Sequence, residues 1–423
     1  GDDTIDGGTG DDTIAAGAGT DSLTGGTGAD RFVGSVSDLN GDTISDLVGG
    51  DTILLEGLNG LSISNVRLNG ATLEIDTNAS TFASPEVAIT LGGSLAGLVI
   101  DSVSDNASDT LITFISNSAP VFAGLDGAPS FTEGGSAVVI DSDVTISDTE
   151  LDALNGGNGD YAGASLTVAR NGGADASDSF GFDTDGAGFM VNGSDLEDGG
   201  QAFASFTNSG GTLTINFTGA STTATSTLVD EVLQRITYAN TANDPDASVT
   251  LDYIFNDGIS DSSGSNQATV SITNVNDAPT LSATGQDPTY IEGNAGADLY
   301  SGVTASAVEA ADRFTGMSLT VTNVSDGADE ILAFDGSDIA LTNGNSVTTD
   351  NNGLGVTVTV AGSTATVSFS DGLLTNDQMQ TLVDAMNYRN ESDNPTTAGN
   401  RVVTITGITD NGGTANGGVN VAA

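Results

Sequence analysis

Over the first 34 residues one apolar side chain returns every ninth position, at Ile5, Ile14, Leu23 and Phe32. Each sits in a very short stretch that reads as a strand with a single buried side chain, and two nine-residue units make one coil. From residue 52 the pattern changes to short apolar runs, Thr52-Ile53-Leu54-Leu55, Ala71-Thr72-Leu73-Glu74-Ile75, Val87-Ala88-Ile89-Thr90-Leu91 and Leu111-Ile112-Thr113-Phe114-Ile115. These predict strands that continue or cap the coils, because a terminal coil would otherwise leave an open sheet edge. Farther along, Thr, Ser and Val alternate in runs separated by Asn-Gly, Asp-Gly and Gly-Gly, again the pattern of strands and turns. Two stripes depart from it. Met379, Leu382, Val383 and Met386 fall at i, i+3, i+4 and i+7, and Leu228, Val229, Val232, Leu233 and Ile236 do nearly the same, so each predicts a short helix with one buried face. The expected fold class is all-β.

The nine-residue units carry chemistry at fixed places. Asp3, Asp12, Asp21 and Asp30 each stand two residues before the apolar position, and Gly1, Gly10, Gly19 and Gly28 two residues before those aspartates. Gly7-Gly8 and Gly25-Gly26 open two of the units, while Ala16-Gly17 weakens a third. Glycines at positive φ let carbonyl oxygens turn inward toward a cation. Aspartate adds the hard, charged oxygen that calcium prefers. Pairing across neighbouring coils joins Asp3 to Asp21 and Asp12 to Asp30, with loop carbonyls from Gly8, Gly10, Gly19, Gly26 and Gly28 completing six or more oxygens. A flexible Gly/Asp linker would not hold an apolar residue in register through four units.

On these residues, positions 1–34 resemble the RTX (repeat-in-toxin) β-roll of bacterial proteins exported by type I secretion. The segment from Gly25 to Gly57 is similar to the stretch that closes such a roll, which brings in Asp42 and Asp46 as further metal candidates. The resemblance implies folding triggered by calcium outside the cell. It names no activity, since proteases, lipases, toxins and adhesins share the roll.

The remainder is duplicated. Gly163-Ala164-Ser165-Leu166-Thr167-Val168 returns as Gly316-Met317-Ser318-Leu319-Thr320-Val321, Phe131-Thr132-Glu133-Gly134 as Tyr290-Ile291-Glu292-Gly293, and Tyr238-Ala239-Asn240 as Tyr388-Arg389-Asn390. The expected units are therefore a roll and cap over 1–116 and two modules over 117–277 and 278–423. Between the modules stands Asn274-Val275-Asn276-Asp277-Ala278-Pro279, which resembles the inter-domain calcium linker of cadherins and the joint of bacterial cadherin-like and VCBS-type repeats. That resemblance implies two β-sandwiches and, at the joint, calcium ligands drawn from Asn274, Asn276, Asp277, Glu133, Asp143 and Glu292, with Asp141 and Asp148 as further candidates in the first module and Glu309 and Asp312 in the second. Asn274 and Ala278 depart from the cadherin pattern, and a proline-stiffened linker without metal fits the same residues. The earlier joint, Asn117-Ser118-Ala119-Pro120, has Ser118 in place of the aspartate and is expected to be weaker still.

Charge agrees with a cation-binding role. The chain has 58 acidic against 7 basic residues, a net −51, and it lacks Lys, His, Cys and Trp. Self-repulsion on this scale opposes compaction unless counter-ions bind. Nucleic acid is excluded as a partner because phosphate neutralisation needs Lys and Arg in numbers, and no apolar run of eighteen residues exists to insert into a membrane. Without His, Cys or Lys there is no triad, thiol or Schiff-base chemistry, so no enzyme is expected here. Gly1 falls inside a repeat, which implies more chain upstream. Two readings follow: an extracellular, calcium-stiffened structural or adhesive rod of a bacterial surface, self-assembling into a filament or binding a cell-surface or carbohydrate ligand; or the accessory part of a larger secreted enzyme or toxin.

Overall fold

The computed structural model describes residues 1–78, 82, 84–92, 97–219 and 221–422, and they are organised around three hydrophobic cores. The first core lies inside the roll. Strands Thr4–Thr9, Ser22–Thr27 and Thr43–Ile44 stack in parallel on one face, with Ile5 opposite Leu23 and Leu23 opposite Ile44. Thr13–Ile14, Arg31–Ser35 and Thr52–Glu56 stack on the other, with Ile14 opposite Phe32 and Phe32 opposite Ile53. Each coil contributes one inward apolar side chain per face, which is why a nine-residue period appears in the sequence. Leu23, Phe32, Ile44 and Ile53 are wholly buried.

The roll continues one coil beyond the four regular units. Its third coil is longer, and the short helix Val36–Leu39 takes up the added length while burying Leu39. Both sheets then change from parallel to antiparallel pairing. Val87–Leu91 joins Thr43–Ile44 in parallel and Thr72–Ile75 antiparallel, and Asp109–Ser116 closes the other sheet against Thr52–Glu56. The four runs expected to continue or cap the coils are all strands here, and they cover the edge that a bare third coil would expose.

The second and third cores sit in two sandwiches of similar plan. The duplicated Ser-Leu-Thr-Val runs form the central strands Ser165–Arg170 and Phe314–Val321, each flanked by two antiparallel partners. Facing them are smaller sheets through Ile236–Asn240 and Asn387–Asn390. Helices Ser226–Gln234 and Asn376–Asp384 lead into those strands and bury Val229, Val232 and Leu233 in one and Met379, Leu382 and Val383 in the other. Ile236 and Met386 are equally buried, although both lie past the helix ends. The first sandwich has a further helical segment, Thr149–Gly157, broken at Leu154 to Gly156, that the apolar pattern does not announce, since none of its residues is fully buried. Asp148 starts it, accepting from the main-chain N–H groups of Glu150 and Leu151.

The repeated Tyr-x-Asn has a physical reason. In the first sandwich Tyr238 and Asn240 donate to Asp178, which also takes a bidentate pair from Arg170 at 2.8 Å. In the second, Asn390 donates to Asp326, and Arg401 pairs with the buried Glu330. Both asparagines accept a main-chain N–H two residues on, from Ala242 and Ser392, and so fix the following turn.

Candidate metal centres

Along each edge of the roll the aspartates form a ladder. Asp21 Oδ1 accepts the main-chain N–H of Asp3 at 2.7 Å, and Asp42 Oδ1 that of Asp21 at 2.8 Å. On the other edge Asp30 Oδ1 accepts from Asp12, and Asp51 Oδ1 from Asp30, each at 2.9 Å. One carboxylate oxygen is thereby committed to holding coils together. Oδ2 of Asp12, Asp21 and Asp42 is buried and receives no hydrogen bond from the described residues, Asp12 entering the ladder through its main-chain N–H alone. An ionised carboxylate oxygen buried without a donor is costly. A hard cation among such oxygens removes that cost, so this donor set fits calcium.

The glycines make the approach possible. Gly8, Gly10, Gly26 and Gly28 all have positive φ. A Cβ at Gly26 or Gly28 would collide with the carbonyl oxygens of Gly8 or Gly10 in the preceding coil, and one at Gly19 with that of Gly1. Burial pushes the Asp42 carboxyl up, with the N–H of Asp21 opposing and the charges of Asp21 and Asp38 adding to the rise. Asp51 is raised mainly by burial too, against the N–H groups of Asp30 and Val48.

Asp46 plays a different part from the ladder residues. Its two oxygens accept from Gly25 at 2.8 Å and Gly26 at 2.7 Å, so the carboxylate braces the turn of the second coil. Asp51 similarly uses its second oxygen on Val48. Asp51 escaped the sequence reading. Its signal was present, because Asp-Thr-Ile occurs at Asp3, Asp12, Asp42 and Asp51, but the turns before the last two have lost the regular glycine pattern.

A second group of buried oxygens lies at the joint between the sandwiches. Asn276 Oδ1, Glu309 Oε2, Asp312 Oδ2 and Asp410 Oδ2 are all buried without a donor among the described residues. Asn276 Nδ2 points at Asp410, and the Asp277 N–H donates to Glu309 at 2.7 Å. A Cβ on Gly412 would collide with both Asn276 and Asp312, which places those oxygens over the same glycine. Burial is the main cause raising the Glu309 and Asp410 carboxyls, and Asp312 adds its charge to both. Glu133 and Asp244 approach from the first sandwich. Glu133 accepts from Val275 and feels the charges of Asp277 and Asp244, while Asp244 accepts from Asn274 and, across the joint, from Ala310.

Of the remaining sequence candidates, Asn274 is exposed and bound to Asp244. Glu292 is exposed, in the second sandwich, where its neighbour Tyr290 donates to the Asn390 carbonyl. Asp143 joins Asp126 and Asp141 in an acidic group, but both Asp141 oxygens already accept main-chain N–H groups, from Asp126, Gly127, Asp143 and Val144. Asp410 was missed because it is distant in sequence and belongs to no local motif.

Residues 1–32 match the family model of the RTX calcium-binding nonapeptide repeat, in four copies. The repeats of this segment are thus calcium-binding repeats, of a kind found in extracellular proteins exported by type I secretion. No curated protein matches the sequence. Among solved structures, the extracellular domain of Protocadherin GammaB4 aligns with 82% of this chain and 44% of its own at 11% identity and a TM-score of 0.16. Yersinia pseudotuberculosis InvD aligns with 82% of this chain and 91% of its own at 14% identity and a TM-score of 0.16. The chain spans less than half the length of the protocadherin. The all-β assignment rests on the strand pairing itself. Among the described residues no helix is long and apolar enough to cross a membrane.

Proposed function

We propose that this chain is an extracellular structural or adhesive segment whose shape is set by calcium, with the roll edges and the inter-sandwich joint as its ion sites. The observation that carries the reading is the set of buried carboxylate oxygens without donors, Asp12, Asp21 and Asp42 in the roll and Glu309, Asp312 and Asp410 at the joint. On this reading Asp3, Asp12, Asp21 and Asp30, with carbonyls of Gly8, Gly10, Gly19, Gly26 and Gly28, hold calcium between coils, and Asp42 extends the series. Asn276, Glu309, Asp312 and Asp410 hold it at the joint, with Asp277 and Glu133 adding negative charge. The three cores support a division into 1–116, 117–277 and 278–423, linked as a rod.

Calcium supplies charge neutralisation and ordered coordination. The protein supplies prearranged oxygens and the glycine turns that let coils approach. Extracellular modules bind calcium at about 10⁻⁴–10⁻³ M, above the cytosolic supply, so folding of the roll follows export. Adding calcium to the chelated chain should increase the far-UV circular dichroism of β structure, and a spectrum already complete in chelator would overturn the reading. An accessory role in a larger secreted enzyme or toxin is compatible with the same ion sites.

A further inference from the structure

The duplication lets a side chain of one sandwich be compared with its counterpart in the other. Phe180 stands opposite Tyr238, and Leu332 opposite Tyr388. Asp183 and Asp335, each three residues past that pairing, are therefore equivalent, as are Arg235 and Ala385, each three residues before its tyrosine. In the first sandwich Arg235 and Glu231 hold the loop after Asp183 against the helix Ser226–Gln234. The Arg235 guanidinium lies 3.8 Å from the Asp183 carboxylate and donates to the Asp185 carbonyl at 2.9 Å, while Glu231 accepts the Gly188 N–H at 2.7 Å.

The second sandwich has lost both of these long side chains and kept the acid. Ala385 stands in place of Arg235 and Thr381 in place of Glu231. Beside the helix Asn376–Asp384 a cavity of about 290 Å³ results, lined by those two residues together with Asp335, Asn351, Asp377 and Gln378. Asp335 is 4% exposed; it accepts from the Thr349 hydroxyl and from the main-chain and side-chain N–H groups of Asn352, and no arginine among the described residues reaches it. The Asp377 carboxylate is exposed and has no partner among the described residues. A buried carboxylate without a counter-charge is costly. In the first copy Arg235 supplies that charge.

We propose that this cavity receives the guanidinium group of an arginine side chain from a partner protein, held by Asp335 and Asp377 as Arg235 is held by Asp183. A guanidinium offers only donors, in a planar fork that suits carboxylate and carbonyl oxygens. Calcium fits less well, because Asp335 has already committed three acceptor sites to hydrogen bonds and the cavity falls short of the six to eight oxygens that ion takes. A volume at the lower end of ordinary ligand pockets suits one side chain. A second copy of this chain is the poorer donor: two chains of net charge −51 repel, and Arg67, Arg170, Arg235, Arg389 and Arg401 already pair with carboxylates. The site is independent of the calcium reading and gives the adhesive segment a contact of its own chemistry.

The test is titration of the calcium-loaded full chain with N-acetyl-arginine methylamide at constant ionic strength, read from amide shifts in nitrogen–proton correlation spectra. Saturable shifts centred on Asn351, Asn352 and Gln378 are expected, with the lysine and uncharged citrulline analogues each bound about tenfold more weakly or worse. Ala385→Arg supplies the guanidinium from within and should abolish binding; Ala385 is exposed, so the longer side chain leaves the core alone. Asp377→Asn should weaken binding about tenfold without lowering the melting temperature. Absence of saturable shifts in the wild type, binding unaltered in either variant, or equal binding of the citrulline analogue overturns the site, and equal binding of the lysine analogue overturns its assignment to a guanidinium. Sedimentation velocity separates the sources: self-association of the wild type that Ala385→Arg abolishes would overturn the assignment to a different protein.

Discussion

At the scale of single residues the roll depends on where a side chain is forbidden as much as on where one is required. Gly26 and Gly10 have nearly the same φ, +101° and +100°, but only Gly26 faces a carbonyl oxygen of the neighbouring coil, while Gly10 faces open space. Gly10→Ala should therefore cost only the backbone strain, on the order of 1–3 kcal/mol, and leave the roll able to fold with calcium. Gly26→Ala adds a collision between coils and should abolish the calcium-dependent circular dichroism change. Equal behaviour of the two variants would show that the coils are not stacked this closely. The aspartates at Asp3, Asp12, Asp21 and Asp30 were legible because their spacing is local. Asp51 was not, because Asp46 and Val48 replace the regular turn before it, and Asp410 acquires its place only when a distant strand brings it to the Nδ2 of Asn276.

At the scale of elements, caps and buried polar contacts decide how strands end. The helix before each Tyr-x-Asn was readable from its apolar stripe, but the partners of the motif were not, since Asp178 and Asp326 lie some sixty residues earlier in sequence. The two sandwiches solve the same problem with different acids, so simple alignment of the copies does not reveal the pairing. Asp326 offers a clean test. Hydrogen bonds from Thr396, side chain first and then main chain, and from Asn390 and Ser325 hold its carboxyl down to about 2. A carboxyl whose folded value lies below its unfolded value of about 3.9 stabilises the fold above that pH and loses the contribution as pH falls toward 2. Wild type should lose on the order of 1 kcal/mol more than Asp326→Asn over that window, once solvent screening is allowed for. Thermal melts of both proteins in chelator, from pH 5 to 2, measure the difference without interference from calcium release; parallel losses would remove Asp326 from the account.

At the scale of the whole molecule, the question is whether calcium acts at built sites or only as counter-ion to a net charge of −51. The duplication was visible as a sequence repeat, whereas the ion site proposed at the inter-sandwich joint required the fold, because it brings Asn276 to Asp410 across 134 residues of sequence. Diffuse screening depends on ionic strength, with a Debye length near 10 Å at 0.1 M salt, and is indifferent to the cation's coordination preference. Built sites are not indifferent, since calcium accepts six to eight oxygens in flexible geometry while magnesium demands a smaller octahedron and keeps its waters. Small-angle scattering of the full chain at constant 0.15 M ionic strength should therefore show reduced bending and a narrower distribution of maximum dimension with millimolar calcium. Magnesium at the same concentration, or sodium chloride alone, should leave the chelated profile nearly unchanged. Asp312→Asn should restore part of the flexibility in calcium by freeing the joint at Asn276, although it removes only one of the chain's 58 acidic charges. If magnesium or salt stiffens the chain as well as calcium does, the acidic oxygens at the joint act by repulsion relieved in bulk, and the calcium-set rod has to be given up.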